Sequence, residues 1–470
     1  MLRWKNIRKN NFMNKRTRII CTVGPASEKV PVLAEMIKNG MNIARLNFSH
    51  GTYDNHKMLI KNIRAAAKKN KKIVGIMADL QGPKIRVGDL TASGVELKNG
   101  EIIVLTTHSS PFGLRRAGGK KLPVTYSDLH RDVKAGERLL LDDGLMELKA
   151  EKIKGRDIFC KVINGGHLTS HKGINLPDSK IRLSSLSKKD KEDLFFAMGQ
   201  GVDFVAISFV RSAKDIKELI GLINKNFKKL KSKKPRIIAK IEKGEALENF
   251  VEILALVDAV MVARGDLAVE TPAEDVPLRQ KEIIALCRQK AVPVIVATQM
   301  LDSMIRNPRP TRAEVSDVAN AVMDHADAVM LSGESAQGLY PVAAVKMMNK
   351  IILETEKSPY DDVDARQKLN PKNKEWLGAR AAALAREKNI KQIVDLSGGD
   401  TFRYISKWRP EADIFVATDE HNLYPYLFWG TTPFVLKNKN AKAAIQWLRK
   451  NDFLNKNKFV LVKDKEVDLA

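Results

Sequence analysis

The sequence predicts an α/β protein with three parts: an eight-stranded parallel barrel, a small all-β domain inserted into it, and a C-terminal α/β domain. Residues 236–335 contain four short Val- and Ile-rich runs that alternate with helical patterns and end in polar residues, which is typical of buried parallel strands. Residues 87–183 instead alternate with period two and carry frequent turn signals, which indicates an all-β insertion. After a polar linker at 357–374 the strand–helix alternation resumes.

Eight strand–helix units make up the predicted barrel, which is of the TIM (β/α)8 type. Three strands precede the insertion and five follow it, so the barrel is interrupted once. The segments between strands carry apolar residues at helical spacing, for example Val32, Met36 and Ile37. The predicted strands, with the polar residues that end the last four, are 18–23, 43–48, 73–80, 204–209, 237–242, 259–266, 292–298 and 328–334.

The predicted domain boundaries follow these changes of pattern. They give a basic tail at 1–14, a barrel at 15–86 and 184–356, a lid at 87–183, and a C-terminal α/β domain at 357–470. In the last domain, strands at 392–396, 414–417, 434–436 and 458–462 alternate with helices and predict a mostly parallel sheet. Gly82-Pro83 and Pro177 border the lid, and hinges there would let it close over the barrel mouth and exclude water.

The composition argues against several classes of protein. Nothing approaches an apolar run of about eighteen residues, so no membrane span is expected. Cys21, Cys160 and Cys287 are too few and too far apart for a disulfide framework or zinc cluster, which suits a reducing cytoplasm. The net charge of +26 is compatible with nucleic-acid binding or with a solvated basic surface around anionic small-molecule sites. Aromatic residues are only 6% and do not interleave with the lysines, so no specific nucleic-acid partner is expected.

Polar residues at the ends of the predicted strands point to chemistry at one end of the barrel. Lys240 and Glu242 lie two apart and share a face of their strand, and they could simply pair with each other. Asp266 ends the next strand, so two hard carboxylates would lie side by side. Such a pair suits Mg²⁺, with water and a substrate phosphate completing the coordination.

Arg45 lies inside an apolar strand, where a guanidinium is costly without an anion. Either a neighbouring carboxylate or a phosphate could pair with it. Asn47 and Ser49 continue its face, and Asp79 ends the third strand in the same way. Thr298 ends the seventh strand, where a lone Thr is more often a cap than a catalyst.

Several motifs together resemble the pyruvate kinase family in order and spacing, and the resemblance covers residues 15–435. Around the predicted mouth it includes Ala-Lys-Ile-Glu at 239–242, Met-Val-Ala-Arg-Gly-Asp-Leu at 261–267, Ala-Thr-Gln-Met at 297–300 and Met-Leu-Ser-Gly-Glu at 330–334. Upstream it includes Cys-Thr-Val-Gly-Pro-Ala-Ser at 21–27, Arg-Leu-Asn-Phe-Ser-His-Gly at 45–51 and Asp-Gly at 143–144. The long motif Pro-Arg-Pro-Thr-Arg-Ala-Glu-Val-Ser-Asp-Val-Ala-Asn at 308–320 also fits.

The resemblance implies a glycolytic enzyme that transfers the phosphoryl group of phosphoenolpyruvate to ADP, giving pyruvate and ATP, and that forms a homotetramer. It also implies roles for individual residues. Mg²⁺ or Mn²⁺ is expected on Glu242 and Asp266, the phosphoryl group on Arg45 and Lys240, and the substrate carboxylate on Gly265, Asp266 and Thr298. Thr298, Ser332 and Glu334 are candidates for relaying the proton to the enolate, and the sequence does not choose among them.

The nucleotide and monovalent-cation sites are implied in the same way. Arg86 and Lys172 match contacts with the nucleotide phosphates, and Pro25 and His50 match the adenine side. Asn47, Ser49, Asp79 and the Leu80 carbonyl match a monovalent-cation site.

Two segments depart from the commonest family pattern. Many members have Glu where Lys84 stands, and the Lys version resembles the potassium-independent branch, so no K⁺ requirement is expected. A surface carboxylate could instead pair with Lys84. The loop that is rich in Ser and Thr in members activated by fructose bisphosphate here reads Asp-Leu-Ser-Gly-Gly-Asp at 395–400. Asp395 and Asp400 would repel a phosphate, so fructose bisphosphate is not expected to activate through this loop, although Asp400 could simply cap the following helix.

Two other functions are compatible with parts of the pattern. Another Mg²⁺-enolate barrel enzyme, such as an aldolase or lyase, would lack the lid together with Arg45, Lys84 and Lys172. A non-catalytic scaffold for polyanions would show damage in the catalytic set, whereas every position of that set is chemically intact.

Overall fold

The structure is a computed structural model that describes residues 15–108, 120–363, 374–419, 422–436, 440–454, 458–464 and 466–470. The predicted tail at 1–14 and the linker residues 364–373 lie outside this set. Among the described residues, no helix combines the length and apolarity that crossing a bilayer requires.

The described residues form twenty-one β-strands. In chain order they are β1 Arg18–Thr22, β2 Met41–Asn47, β3 Gly75–Asp79, β4 Val95–Leu97, β5 Ile102–Thr106, β6 Lys120–Pro123, β7 Arg138–Leu141, β8 Met146–Lys154, β9 Asp157–Asn164, β10 Gly166–Leu168, β11 Ile174–Asn175, β12 Phe204–Ile207, β13 Arg236–Ile241, β14 Ala259–Ala263, β15 Val294–Ala297, β16 Ala328–Leu331, β17 Gln392–Asp395, β18 Asp413–Thr418, β19 Thr431–Val435, β20 Val460–Lys463 and β21 Glu466–Leu469.

The same residues form fifteen α-helices and four short 3-10 helices. The α-helices are α1 Val30–Lys38, α2 Tyr53–Lys69, α3 Leu129–Asp132, α4 Lys188–Gly199, α5 Ala213–Leu230, α6 Gly244–Glu248, α7 Phe250–Leu254, α8 Arg264–Glu270, α9 Val276–Gln289, α10 Arg312–Met323, α11 Gly333–Ala336, α12 Pro341–Thr355, α13 Lys374–Glu387, α14 Thr401–Lys407 and α15 Ala441–Lys450. The 3-10 helices are Ala273–Asp275, Asp302–Ile305, Pro359–Asp361 and Tyr424–Leu427.

Eight parallel strands close into a barrel in the order β1-β16-β15-β14-β13-β12-β3-β2, which confirms the predicted fold class. Alternate residues of β13 face opposite ways, as the period of a strand requires. Ile237, Ala239 and Ile241 pack in the core between strands and helices, while Ile238 packs inside the barrel. The polar residues that follow the strands therefore meet at the mouth formed by their C-terminal ends.

The barrel strands end earlier than the apolar runs suggested. Strand β14 stops at Ala263 because the next seven residues form α8, so Asp266 lies on a helix rather than at a strand end. Strand β12 stops at Ile207, and Phe209 follows in the left-handed region with φ 55°. The apolar periodicity did not reveal these turns, since Leu and Val continue the pattern into α8.

Between β3 and β12 the chain forms two antiparallel-rich sheets, one of two strands (β10-β4) and one of six (β11-β7-β8-β9-β5-β6). Strands β3 and β12 themselves pair, with Met77 opposite Phe204. The two ends of the insertion meet where Arg86 bridges Gly173. Gly82 at the entrance has φ +71°, and a Cβ there would lie 2.7 Å from the Phe209 ring, so only glycine fits.

The C-terminal sheet has the order β19-β18-β17-β20-β21, and its first four strands are parallel. The strand predicted at 458–462 is not the last one: β21 forms a hairpin with it, pairing Val460 with Leu469. The prediction stopped early because the alternation of Val467 and Leu469 with acidic residues is too short to stand out.

The C-terminal domain docks on the end of the barrel opposite the mouth. The buried Arg409 guanidinium donates to Asp327 Oδ1 at 2.9 Å, just before β16, and Leu427 joins the apolar cluster inside the barrel. Asp327 also accepts the Trp429 N–H at 3.0 Å. Breaking such a buried pair from one side leaves an uncompensated charge, so this contact holds the two domains together strongly.

Candidate functional site

The mouth of the barrel contains a buried network of two cations and two carboxylates. Lys240 Nζ lies 2.8 Å from Glu242 Oε1 and 3.4 Å from Asp79 Oδ1. Arg45 Nε donates to Asp79 Oδ2 at 2.7 Å, so a neighbouring carboxylate does pair with this guanidinium. The side chains of Asp79 and Glu242 are each 1% exposed. Charges in the network therefore interact more strongly than they would in water.

The network shifts the titration of its members. Burial alone would raise the pKa of Asp79, but Lys240 and Arg45 outweigh it and the pKa is lowered. Burial would lower the pKa of Lys240, yet the carboxylates of Asp79 and Glu242 raise it. Both groups are consequently charged at neutral pH.

Glu242 behaves differently because it faces a second acid. Burial raises its pKa, and the nearby Asp266 carboxylate raises it further against the opposing effect of Lys240. Its Oε2 accepts the Phe209 N–H at 2.8 Å. A buried carboxylate beside another one has more negative charge around it than its protein partners neutralise, and this favours a bound cation.

A serine that the sequence reasoning missed connects the network to the third strand. Lys240 Nζ donates to Ser208 Oγ at 2.8 Å, and the Ser208 hydroxyl donates to the Leu80 carbonyl at 2.8 Å. Thr22 was also missed: its hydroxyl accepts from Arg45 at 2.8 Å. Ser208 follows β12 directly, so the rule used for the other strands, a polar residue at a strand end, would have found it.

The predicted monovalent-cation ligands lie on neighbouring strands but are largely occupied. Asn47 is opposite Asp79 in the β2–β3 register. Asn47 Oδ1 accepts the Ser49 N–H at 3.1 Å, and the Leu80 carbonyl accepts the Ser208 hydroxyl. Asp79 Oδ1 is the exception, because it is buried beside Lys240 Nζ at 3.4 Å and accepts no hydrogen bond from the described residues.

Thr298 and Gly265 are joined directly. The Gly265 N–H donates to Thr298 Oγ1 at 2.8 Å, and the Thr298 hydroxyl donates to the Ala297 carbonyl at 2.6 Å. Thr298 has φ 70°, which is unfavourable for a β-branched residue and often marks a functional position. Arg264 holds this turn by donating to the Thr298 carbonyl at 2.8 Å and to Asp317 at 2.6 Å.

The eighth strand ends before the predicted position 334: Ser332 directly follows β16, and Glu334 lies on the short helix α11. The Glu334 carboxylate is 1% exposed and accepts the N–H groups of Leu301 at 3.0 Å and Ser332 at 2.7 Å. Burial raises its pKa. The Ser332 hydroxyl is buried without a hydrogen-bond partner.

The predicted nucleotide contacts occupy two places. Arg86 and Lys172 are neighbours at the base of the lid, where Arg86 donates to the His171 carbonyl at 2.8 Å and Lys172 pairs with Asp142 at 2.8 Å. Pro25 and His50 are exposed in the segments that follow β1 and β2, which are adjacent strands.

A cleft between the lid and the barrel reaches the mouth. Its walls include Lys84 from the segment that leads into the lid, Asp143 from the lid, and Lys243, Asp266 and Glu270 from the barrel. Lys84 is exposed and forms no ion pair with any residue that the structure describes. Asp266, one of the two predicted metal ligands, is thus reached from the cleft.

The C-terminal loop differs from one expectation. Asp400 occupies the position before α14, but its side chain makes no capping hydrogen bond. Asp395 is buried and accepts both the N–H and the hydroxyl of Ser397, at 3.0 and 2.6 Å. Burial raises the pKa of Asp395 to about 6.

Comparison with known proteins agrees with this architecture. Residues 14–345 match the model of the pyruvate kinase barrel domain. Pyruvate kinase of Geobacillus stearothermophilus is 44% identical over 416 residues, which is 86% of this chain and 69% of the relative. Pyruvate kinase of Mycobacterium tuberculosis (strain H37Rv) is 42% identical over 430 residues, covering 90% of this chain and 88% of the relative.

A solved structure gives the same result for the fold. The crystal structure of a pyruvate kinase from Cryptosporidium parvum has a TM-score of 0.89 and 34% identity, and the match covers 97% of this chain and 96% of the other. The family model spans most of the chain, and relatives above 40% identity align along nearly all of it. The chain belongs to the pyruvate kinase family.

Proposed function

We propose that the barrel mouth catalyses the reaction of the family, transfer of the phosphoryl group of phosphoenolpyruvate to ADP to give pyruvate and ATP. The observation that carries the assignment is the buried network in which Lys240 and Arg45 share Asp79 beside the acidic pair Glu242 and Asp266. This arrangement has the cations needed for a transferring phosphoryl group and, for a divalent ion, an acidic pair of which Glu242 is ion-paired with Lys240.

Glu242 and Asp266 would hold Mg²⁺ or Mn²⁺. Oxygen ligands suit these hard ions, and the carboxylates of the mouth, Asp79, Glu242 and Asp266, outnumber the cations Arg45 and Lys240. The described residues contain no group of three or more His, Cys, Asp or Glu side chains placed to hold a metal ion, so water and substrate would supply the remaining ligands. When bound, the ion supplies charge neutralisation for the phosphoryl and enolate oxygens.

Arg45 and Lys240 would bind the transferring phosphoryl group. Asp79 fixes the Arg45 guanidinium through Nε, and Ser208 together with Glu242 fixes the Lys240 ammonium. Both cations are thereby oriented before the substrate arrives, which lowers the reorganisation needed when negative charge spreads over the equatorial oxygens. Gly265, Asp266 and Thr298 would contact the substrate carboxylate, which would replace the Thr298 hydroxyl as acceptor for the Gly265 N–H.

Protonation of the enolate at its methylene carbon follows phosphoryl transfer. Among the three candidates we favour Ser332 as donor with Glu334 behind it. The Ser332 hydroxyl is buried without a partner, while the Thr298 hydroxyl already donates to the Ala297 carbonyl. Burial raises the pKa of Glu334, whose carboxylate accepts the Ser332 N–H, so this side chain keeps a proton to higher pH than an exposed glutamate does.

The nucleotide would lie between the lid base and the ends of β1 and β2. Arg86 and Lys172 are adjacent cations suited to its phosphates, and exposed Pro25 and His50 would lie on its adenine side. Lid closure over the cleft would exclude water from phosphoenolpyruvate.

We further propose that the enzyme needs no potassium, with Lys84 supplying the charge. Two oxygens of the expected cation site, Asn47 Oδ1 and the Leu80 carbonyl, already accept protein hydrogen bonds, so a free ion would compete with these donors. Lys84 is unpaired within the described residues and lines the cleft beside Asp266. A tethered ammonium has no binding equilibrium to satisfy.

We also propose a homotetramer, and a cytoplasmic location that agrees with the buried, free cysteines.

The test is pyruvate formation coupled to lactate dehydrogenase, with phosphoenolpyruvate, ADP and MgCl₂. Lys240→Met should lower kcat by at least about 10³-fold, since it removes a preorganised charge at the phosphoryl group. The control Lys225→Met removes an exposed lysine of α5 that forms no ion pair with residues the structure describes, and it should leave kcat within twofold. Absence of pyruvate formation by the parent enzyme, or equal rates in both variants, would overturn the proposal.

A further inference from the structure

Half of the net charge is concentrated in two helices and the turns that follow them. Residues 53–72, which include α2, contain seven Lys or Arg and one Asp. Residues 213–236, which include α5, contain nine Lys or Arg and two acidic residues. These two segments carry +13 of the chain's +26, although the catalytic mouth uses none of their side chains.

The lysines form stripes rather than a random scatter. On α5 Lys214, Lys217, Lys225 and Lys228 follow one helical face, and on α2 Lys57, Lys61 and Lys68 do the same. All seven side chains are exposed and form no ion pair with residues that the structure describes. Like charges one turn apart repel, so these stripes destabilise their own helices and are not explained by folding.

The two stripes belong to one surface. Helix α4 lies between them: the Tyr53 hydroxyl of α2 donates to Asp193 of α4 at 2.9 Å, and Lys229 of α5 lies 4.8 Å from the Phe195 ring of α4. Two steps between packed helices place the axes of α2 and α5 about 16–20 Å apart, with one lysine row on each. We call α2, α4, α5 and the turn at 231–236 the basic face.

We propose that the basic face binds the phosphate backbone of double-stranded nucleic acid without regard to base sequence. Two lysine rows on helices whose axes lie roughly 16–20 Å apart suit the two charged strands of a duplex. Recognition of bases is not expected, because lysine ammoniums contact phosphates rather than base edges.

The surface composition favours a duplex over an anionic membrane. The most exposed large apolar side chains on the face are Tyr53, Met58 and Phe227, and none is more than 40% exposed. A membrane-binding helix needs an apolar face to insert, but the apolar faces of α2 and α5 pack against the barrel. The stripes extend toward the end opposite the mouth, since each helix runs back from a strand's C-terminal end, so binding leaves the mouth free.

The experiment titrates the full-length protein into two fluorescein-labelled 20-base-pair DNA duplexes of unrelated sequence and follows anisotropy at several KCl concentrations. Both duplexes should bind with Kd values within twofold of each other, and affinity should fall steeply with salt. In the variant Lys214→Glu, Lys217→Glu, Lys225→Glu and Lys228→Glu, Kd at 100 mM KCl should rise at least tenfold. Its slope of log K against log [salt] should also be shallower, by about 0.9 for each lost phosphate contact.

A matched control changes the net charge equally on the lid, with Lys134→Glu, Lys149→Glu, Lys154→Glu and Lys161→Glu, all at exposed positions. It should leave Kd within threefold, and both variants should keep the parent's pyruvate-forming rate, which shows that they are folded. Three results would overturn the proposal: no duplex binding by the parent at 100 mM KCl, equal loss in both variants, or tighter binding to phosphatidylserine vesicles than to the duplexes.

Discussion

Replacing Glu242 by Gln isolates the charge of this side chain, because the two residues have nearly the same size. In the folded protein one carboxylate oxygen lies 2.8 Å from Lys240 Nζ and the other accepts the Phe209 N–H at 2.8 Å. A Gln oxygen can satisfy only one of these donors, so its amide nitrogen faces the other. We expect kcat to fall by at least about 10³-fold, or 4 kcal/mol, from the lost metal ligand and the disturbed ammonium. Glu242→Ala should lower kcat by several orders of magnitude.

Folding should survive the substitution, and a measurement without catalysis can show it. Lys240 keeps Asp79 as an ion-pair partner in the Gln variant and the substitution leaves no cavity, so the variant should still unfold cooperatively in metal-free buffer. MgCl₂ should raise the Tm of the parent, by an amount that grows with the ratio of Mg²⁺ to its Kd. The Gln variant should need at least tenfold more MgCl₂ for the same rise.

The control is Glu248→Gln, which removes an exposed carboxylate from the end of α6. It should match the parent in both assays. A Glu242→Gln enzyme with a near-normal rate at limiting Mg²⁺, or with the parent's melting response to MgCl₂, would refute the metal assignment.

Three further predictions concern other parts of the chain. With tetramethylammonium as the only monovalent cation the enzyme should be fully active, and Lys84→Glu should abolish this activity; tenfold or greater activation of the parent by KCl would contradict the proposal. Fructose bisphosphate should not shift the phosphoenolpyruvate saturation curve, because the Ser397 hydroxyl already donates to Asp395 and is not free to bind a phosphate. A leftward shift of this curve that Ser397→Ala abolishes would argue against the prediction. Burial and the nearby Glu411 raise the pKa of Asp361 to about 7, so the folded protein binds this proton more tightly than the unfolded chain does. Stability should therefore fall by about 1.4 kcal/mol from pH 6 to pH 8, and urea midpoints of Asp361→Asn should lack this component; an unchanged pH dependence in the variant would refute it.

Sequence patterns predicted the barrel because its strands are buried on both faces. Runs such as 237–241 are continuously apolar except where a side chain enters the mouth, and that exception identified Lys240. Glu242 and Asp266 followed from the same reasoning, and the structure does bring them close enough to affect each other's charge. Periodicity therefore located the acidic pair even though it placed Asp266 on the wrong kind of element.

The details that periodicity could not supply depend on turns and on distant partners. The left-handed conformation of Thr298 arises in a tight turn, and no glycine at this position indicates such a conformation in the sequence. The bond between Lys240 and Ser208 joins positions 32 residues apart, so neither local sequence contains it. Strand β21 was not predicted, because the sequence of a short edge strand with two acidic residues resembles a polar chain terminus.

The pairing of β3 with β12 also constrains the order in which the chain can fold. Met77 and Phe204 can pair only after a loop of about 125 residues has closed, which is the largest interruption in the barrel. If the lid folds first, the contact between Arg86 and Gly173 shortens that loop to about 40 residues and lowers the entropic cost of closure by about 1 kcal/mol. The folded inserted domain then holds the two halves of the barrel close together in space. Substitutions that destabilise the isolated lid should therefore slow refolding of the whole barrel, while leaving its unfolding rate comparatively unchanged.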